Sequence, residues 1–234
     1  MSILTAKNIV KTYSSATGPL EILKGITFEI KPGEIVALMG PSGCGKSTLL
    51  NILGTLDKPD SGTIEFNGLG INTLSDSNLA DFRIRNIGFV FQFHHLLPEL
   101  TVWENLALPM QLAGSPDDLI DETLVPYLKL TGLDERAGHY PSQLSGGERQ
   151  RAAVIRALVN SPGIIFADEP TGNLDEKNGT IIMQLIQELR ATKQQTFLIA
   201  THSRELAGDA DRVLEMGSGL IISQGHVDSH QQAQ

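Results

Sequence analysis

Cysteine and basic residues are both scarce in this chain. Its 234 residues include one cysteine, Cys44, so an internal disulfide is excluded and a reducing compartment is favoured. Lys and Arg number 18 against 27 Asp and Glu, which gives a net charge of −9. With neither a basic surplus nor a basic stripe, the composition argues against a nucleic-acid partner.

Long apolar runs are also missing. No stretch approaches the roughly 18 to 20 apolar residues that a membrane-spanning helix needs. The segment Met1–Val10 lacks the apolar core of a secretory signal. We therefore expect that another chain supplies any membrane component with which this protein works.

The patterns that are present alternate between strand and helix, with one interruption. Ile3–Lys11 and Ile22–Ile30 predict a β-hairpin, and Glu34–Met39 is apolar enough for a strand buried on both faces. The remaining predicted elements are the strands Gly62–Asn67, Ile87–Phe91, Gly163–Ala167 and Thr196–Ala200, the hairpin Arg212–Met216 with Leu220–Ser223, and helices at about Lys46–Leu53 and Asn178–Ala191 and after Ser203.

The interruption is helical. Thr101 and Glu104 fit a capping box, and Pro109 should kink or end the helix that follows. Further helices are predicted at Asp117–Leu130 and from Gly146 to about Asn160. We expect one domain over 1–234, with a core and a β subdomain in 1–92 and 160–225, a helical subdomain in 93–159 and a frayed tail in 226–234.

A glycine-rich loop follows the predicted strand Glu34–Met39. Gly40 to Ser47 fits G-x-x-x-x-G-K-[ST], in which backbone N–H groups cradle phosphates. Lys46 is placed for the β- and γ-phosphates of ATP, and the Ser47 hydroxyl is placed for Mg²⁺. The predicted ATP-binding residues of this loop are Gly40, Pro41, Ser42, Gly43, Cys44, Gly45, Lys46, Ser47 and Thr48.

Polar side chains follow three other predicted strands. Asp168 is predicted to contact Mg²⁺, and Glu169 to act as the general base toward the attacking water. Gln92 is predicted to bind Mg²⁺ or that water, and His202 to donate to the γ-phosphate. The alternatives are a turn-capping role for Glu169 and ordinary solvated side chains at Gln92 and His202.

A second anion site is predicted in the helical stretch. Gly146 and Gly147 open a helix whose N-terminal amides can bind phosphate. Ser145 and Glu148 also fit a capping box. The two roles are compatible, because the capping pair leaves the other amides and the helix dipole available.

In this order, the motifs resemble those of the nucleotide-binding subunit of ABC transporters, over roughly residues 2–225. The resemblance implies an α/β fold with a P-loop NTPase core, a mainly parallel sheet flanked by helices, an antiparallel β subdomain and an inserted helical subdomain. It implies that Tyr13 stacks on adenine and that the chain forms a homodimer with two ATP molecules in the interface. In that dimer, Ser145, Gly146, Gly147 and Glu148 complete the ATP site of the opposite subunit, and Asn173, Leu174 and Asp175 couple the two sites.

A narrower resemblance is carried by Phe91–Pro98, Glu104–Leu106, Gly146–Arg151 and Ala167–Asp175. These segments are similar to the LolD-like ATPases of bacterial lipoprotein release, and MacB-type ATP-binding domains share much of them. The resemblance implies an ATPase that drives permease subunits from the cytoplasmic face of the bacterial inner membrane. A MacB-type efflux ATPase, an importer ATPase and a soluble ABC ATPase acting on ribosomes or DNA are the alternatives.

Cys44 lies inside the phosphate loop, beside Lys46 and a helix N-terminus, surroundings that favour a thiolate. We predict that alkylation of this thiol blocks ATP binding and that bound nucleotide protects it. The alternative is a small residue selected for fit.

Overall fold

The computed structural model describes residues 1–15 and 18–226, and its elements alternate as the sequence predicts. The strands of the described residues are β1 Leu4–Ser15, β2 Gly18–Ile30, β3 Ile35–Met39, β4 Ser61–Phe66, β5 Leu69–Gly70, β6 Ile87–Val90, β7 Ile164–Asp168, β8 Thr196–Thr201, β9 Arg212–Gly217 and β10 Leu220–His226. The α-helices are α1 Lys46–Leu53, α2 Asp76–Asn86, α3 Val102–Leu112, α4 Asp117–Leu130, α5 Gly146–Leu158, α6 Glu176–Lys193 and α7 Arg204–Gly208.

The strands form two sheets. An antiparallel sheet has the order β2-β1-β4-β5, and a six-stranded sheet has the order β10-β9-β3-β8-β7-β6. All neighbours in the second sheet are parallel except β10 with β9. The structure thus confirms the predicted α/β class, with a mainly parallel sheet and a separate antiparallel one.

The apolar core lies on both faces of the parallel sheet, because side chains alternate along each strand. In β3, Ile35 and Ala37 pack into the cluster that includes the apolar faces of α3, α4 and α5. Val36 and Leu38 pack into the opposite cluster, with α1 and the antiparallel sheet. This double burial explains why the β3 sequence is continuously apolar.

Two local features differ from the sequence-based expectations. Helix α2 was not predicted, because its sequence shows little helical periodicity. Its apolar residues Leu79 and Phe82 are only partly buried in the structure. Helix α3 does not end at Pro109 but continues to Leu112, and buried Leu106 and Met110 anchor it on either side of the proline.

Other observations concern membranes and the chain end. Within residues 1–15 and 18–226, no helix combines the length and apolar character needed to cross a bilayer. Strand β10 includes His226, so the predicted frayed tail does not begin there. Residues 227–234 of that tail lie outside the described residues.

Candidate functional site

The candidate site lies where the parallel strands end. The phosphate loop follows β3, Gln92 follows β6, Asp168 and Glu169 follow or close β7, and His202 follows β8. Carboxyl ends of parallel strands meet at one edge of a sheet, which is where open α/β sheets bind ligands. Here they form a cleft of about 470 Å³ lined by Ile22, Ser42, Gly43, Gly45, Lys46, Ser47, Thr48, Gln92, Asp168, Glu169 and His202.

The phosphate loop has a backbone that requires glycine. Gly40 has φ of 154°, and a Cβ there would lie 2.3 Å from the Met216 carbonyl oxygen. Gly45 precedes α1 with φ of 107°. The loop holds buried Lys46 so that its Nζ donates to the Gly40 carbonyl at 2.7 Å. The Lys46 ammonium group is therefore hydrogen-bonded to loop carbonyls and lies beside the N-terminal amides of α1.

Asp168 lies next to the loop in a largely buried position. Burial raises the pKa of Asp168, and the charge of Glu169 adds to this, while a hydrogen bond from Ser47 and the charge of Lys46 oppose it. A buried carboxylate beside a hydroxyl is an oxygen-ligand pair of the kind that Mg²⁺ prefers. The predicted metal residues Ser47, Gln92 and Asp168 all line the same cleft, so the donor set fits this ion.

Glu169 and His202 form a pair in the cleft. The His202 Nδ1 lies 2.9 Å from the Glu169 Oε2, and the Thr201 hydroxyl is 3.5 Å from the same oxygen. The Glu169 backbone is left-handed, with φ of 48°, a strained conformation that is concentrated at functional sites. Its side chain is only 14% exposed, whereas that of His202 is 73% exposed. The carboxylate is thus held in place at the edge of the cleft.

Tyr13 lies beside the loop, although it is not among the described residues that line the cleft. Its hydroxyl donates to Asp57 Oδ2 at 2.6 Å, and the Lys11 Nζ is 5.0 Å from its ring centroid. Burial and the hydrogen bond to Asp57 raise the pKa of Tyr13 to about 12, while a hydrogen bond with Thr48 opposes the shift. The half-exposed ring is therefore anchored to the first turn of α1 and to the loop after it.

Ser145, Gly146, Gly147 and Glu148 lie outside the cleft lining. Ser145 and Glu148 form the predicted capping box: Ser145 N–H donates to Glu148 Oε2 at 2.8 Å and Glu148 N–H donates to the Ser145 hydroxyl at 3.3 Å. A Cβ on Gly146 would lie 3.8 Å from Leu174. This N-terminus of α5 thus neighbours the predicted coupling loop of its own chain.

The predicted coupling loop also contacts the segment that begins with Gln92. The Asn173 side-chain amide donates to the Gln92 carbonyl at 3.0 Å. Asp175 caps α6 by accepting from the Asn178 backbone N–H at 2.8 Å. The loop therefore connects the cleft edge to the start of α6.

Cys44 points into the apolar cluster beneath the loop and is 7% exposed. This burial favours the packing explanation for a small residue. ATP-sensitive alkylation of the thiol stays a prediction.

The sequence analysis did not identify several residues that form contacts with the predicted site residues. Lys11 donates to Asp57 at 2.8 Å, and Asp57 in turn accepts from Tyr13. Burial opposes ionisation of Asp57, but hydrogen bonds from Lys11 and Tyr13 outweigh it and lower its pKa. Thr201 was likewise not singled out. Asp57 lies in a polar, proline-containing loop, where an acidic residue carries no local signal of such a contact.

Comparisons with known proteins agree with this geometry. A profile of the family described as ABC transporter matches residues 23–172. The chain is 48% identical to the lipoprotein-releasing system ATP-binding protein LolD of Cytophaga hutchinsonii, over 94% of this chain and 99% of that protein. It is 50% identical to the LolD protein of Bacteroides thetaiotaomicron, over 94% and 99% of the two chains.

Solved structures show the same fold. A dimeric, post-hydrolysis structure of the ATP-binding cassette MJ0796 bound to ADP and Pi has a TM-score of 0.89 and 39% identity, covering 96% of this chain and 99% of that one. The structure of cbiO1 from Clostridium perfringens, part of an ABC transporter complex, has a TM-score of 0.85 and 32% identity, covering 97% and 89%. The predicted LolD-like resemblance and the predicted ATPase class are confirmed, and the chain belongs to the ABC transporter family as one of its ATPases.

Proposed function

We propose that this chain binds ATP with Mg²⁺ in the cleft and hydrolyses it as one half of a homodimer. The hydrolysis drives permease subunits that release lipoproteins from the bacterial inner membrane, and the chain lies peripherally on the cytoplasmic face. The observation that carries the proposal is the convergence of Lys46, Asp168 and Glu169 on one cleft that a P-loop begins.

Lys46 is the main phosphate ligand of the proposal. Its Nζ is held by the carbonyls of Gly40 and Pro41, at 2.7 and 3.3 Å. A triphosphate offers charged oxygens that accept more strongly than neutral carbonyls. Lys46 therefore exchanges carbonyl partners for the β- and γ-phosphates, while the amides of the loop and of α1 surround the same oxygens.

Ser47, Gln92 and Asp168 are the residues that would hold Mg²⁺. When bound, the ion would neutralise charge on the phosphates of ATP. Bringing a cation to Asp168 also offsets the burial that raises the pKa of this carboxyl.

Glu169 is the proposed base, and His202 orients it. The carboxylate accepts a hydrogen bond from the attacking water and takes its proton as the water oxygen bonds to the γ-phosphorus and the bond from that phosphorus to ADP breaks. The His202 Nδ1 lies 2.9 Å from the Glu169 Oε2, so the imidazole packs directly against this carboxyl group. The other nitrogen of the His202 ring is the proposed donor to the γ-phosphate.

The second half of each ATP site comes from another copy of the chain. Ser145, Gly146 and Gly147 lie outside the lining of their own chain's cleft, and we assign them to the cleft of a second copy. The similar cassette MJ0796 is described as dimeric and bound to ADP and Pi. A head-to-tail dimer brings the α5 amides of one copy to the γ-phosphate held by the other.

The surface Gln92–Trp103 is the proposed contact with the permease. Arg156 of α5 donates to the carbonyls of His94 and His95, at 2.9 and 2.6 Å. Helix α5 thus contacts this surface near one end and presents Ser145 at the other. Movement of α5 when the γ-phosphate binds is therefore transmitted to Gln92–Trp103.

The named relatives favour lipoprotein release over MacB-type efflux. Two relatives about half identical to this chain are LolD proteins of lipoprotein-releasing systems. Efflux and lipoprotein release differ in the permease and not in the ATPase chemistry, so the distinction is tested in the assembled transporter.

The central test is Glu169→Gln. We expect ATP hydrolysis to fall by at least about a hundredfold, because the amide cannot accept the water proton. The variant should accumulate as an ATP-bound dimer in size-exclusion chromatography, whereas the wild-type protein returns to monomer. A variant that stays monomeric with ATP and keeps normal turnover contradicts both the base assignment and the cycle.

The same variant tests the transport class. In a bacterium depleted of its own lipoprotein-releasing ATPase, the wild-type gene should restore lipoproteins to the outer membrane and Glu169→Gln should not. Restored drug efflux without lipoprotein transfer would instead support the MacB-type alternative.

A further inference from the structure

Glu148 places a negative charge at the N-terminus of α5. Its Oε2 accepts from the Ser145 N–H at 2.8 Å. Hydrogen bonds from the Ser145 backbone and side chain lower the pKa of Glu148, so the group is a carboxylate at neutral pH. The proposed γ-phosphate contact is also anionic, and two like charges at one helix end repel each other.

Arg136 lies on the other side of this carboxylate. Its Nε is 3.3 Å from Glu148 Oε1, and its Nη1 is 3.3 Å from His139 Nε2. Arg149 is also nearby, but its guanidinium donates to the Leu144 and Pro141 carbonyls. Among the described residues, Arg136 is therefore the cation that pairs with Glu148.

The backbone around Arg136 is fixed to the start of α3. The Val102 N–H donates to the His139 carbonyl at 2.8 Å, and the Trp103 N–H donates to the Ala137 carbonyl at 2.9 Å. These bonds occupy two of the amides that a helix N-terminus leaves without intrahelical partners. The guanidinium is thus held near Glu148 by a defined backbone and not only by a mobile side chain.

We propose that Arg136 is a positioning residue for the partner's ATP. Arg136 neutralises Glu148, so that Ser145–Gly147 can bind the γ-phosphate. The inference rests on the proposed dimer. In the free chain, Arg136 and Glu148 are 46% and 20% exposed, and such pairs contribute little while water screens them. When the dimer closes and water is excluded, the uncompensated charge of Glu148 becomes costly and Arg136 becomes important.

The test is a double-mutant cycle in the Glu169→Gln background, which holds the ATP-bound dimer. The four proteins carry no further change, Arg136→Ala, Glu148→Gln, or both. Glutamine also completes a capping box, so Glu148→Gln removes the charge and keeps the cap. The measured quantity is the dimer dissociation constant in saturating ATP and Mg²⁺, by sedimentation velocity.

We expect Arg136→Ala to weaken the dimer by about tenfold when Glu148 is present. In the Glu148→Gln background, Arg136→Ala should change the dissociation constant by less than about twofold, since no charge is left to compensate. Equal weakening in both backgrounds, or none in either, overturns the inference. If the parent itself forms no ATP-dependent dimer, the proposed function fails as well.

Two further variants separate this role from a purely structural one. Arg136→Lys keeps the positive charge and should retain most of the dimer affinity. Lys129→Ala removes an exposed cation from α4 of the same subdomain and should leave the affinity unchanged. The ATP-free monomer carrying Arg136→Ala should unfold at nearly the parent temperature; a large loss there, reproduced with Glu148→Gln, would indicate a structural role and contradict the inference.

Discussion

Two helix N-termini of this chain, those of α1 and α5, are both predicted to bind phosphate, but they are built differently. Helix α1 is preceded by Gly45, which has no side chain to cap it, and its first residue is Lys46. Helix α5 has a complete capping box, in which Ser145 and Glu148 already bond to its end. The α1 end has no side-chain cap and begins with a lysine, whereas the α5 end is capped by its own side chains and carries a glutamate.

This difference between the two helix ends matches their two proposed roles, which are ATP binding within one chain at α1 and dimer formation at α5. The α1 end lies in the cleft with Asp168 and Glu169, so one chain holds the groups proposed for the triphosphate and the ion. At the α5 end the capping box pairs the amides of Ser145 and Glu148, which leaves those of Gly146 and Gly147 as the predicted phosphate donors, and Ser145 is exposed. The α5 end therefore folds without a ligand, and in the proposed dimer it contacts the nucleotide held by a second chain.

The largest expected effect contrasts Lys46→Ala with Ser145→Ala. Removing the Lys46 charge should lower the affinity of the monomer for ATP by at least about a hundredfold, because charge-assisted contacts to phosphate are lost. Ser145→Ala should leave monomer affinity within about twofold but abolish the ATP-dependent dimer in the Glu169→Gln background. Calorimetric titration gives the affinity, and light scattering gives the mass.

The matched control for Ser145→Ala is Ser75→Ala. Ser75 caps α2 by accepting from the Asn78 N–H at 3.3 Å, so its loss costs stability by the same mechanism, about 1 kcal/mol. The Ser75 variant should still dimerise. If Ser145→Ala weakens ATP binding by the monomer as strongly as Lys46→Ala does, the two helix ends are not functionally distinct.

A smaller effect is expected within the α5 end. A Cβ on Gly147 would lie 2.1 Å from the Asn178 Oδ1 and 3.2 Å from its Cβ, and the Asn178 amide already donates to Asp175. Gly147→Ala should therefore lower the free energy of unfolding by about 2 kcal/mol through overpacking. Gly146→Ala, whose Cβ would meet only Leu174 at 3.8 Å, is the control for denaturant unfolding. Equal stability of the two variants would show that Asn178 moves aside freely.

The smallest effect concerns the α1 side and depends on pH. Because the folded pKa of Asp57 is lowered, its contribution is present above the unfolded pKa of about 3.9 and is lost as pH falls through the folded pKa. Asp57→Asn should cost about 1 kcal/mol at pH 7. The difference from wild type should shrink as pH falls below about 4.

Urea unfolding at a series of pH values measures this difference. The control is Asp81→Asn, which removes an exposed carboxylate from α2. A difference at Asp57 that does not change with pH would indicate that geometry, and not the charge of this carboxylate, stabilises the contact with Lys11 and Tyr13.

The elements that could be predicted have local patterns. The buried strand β7 is continuously apolar, and the capping boxes at Thr101 and Ser145 occur as predicted. Helix α2 could not be predicted because its apolar residues are few and partly buried. The continuation of α3 past Pro109 depends on packing against other helices, which outweighs the local cost of proline.

The sequence by itself determined the kind of site and the order of its motifs along the chain. A glycine-rich loop needs particular residues at fixed spacing, so the pattern around Lys46 is visible without a structure. Only the tertiary structure decided which side chains contact the predicted site residues: His202 lies against Glu169, Asp57 against Tyr13, and Arg136 against Glu148. These contacts join segments that folding alone brings together, and the residues themselves are ordinary polar ones with no local pattern to mark them.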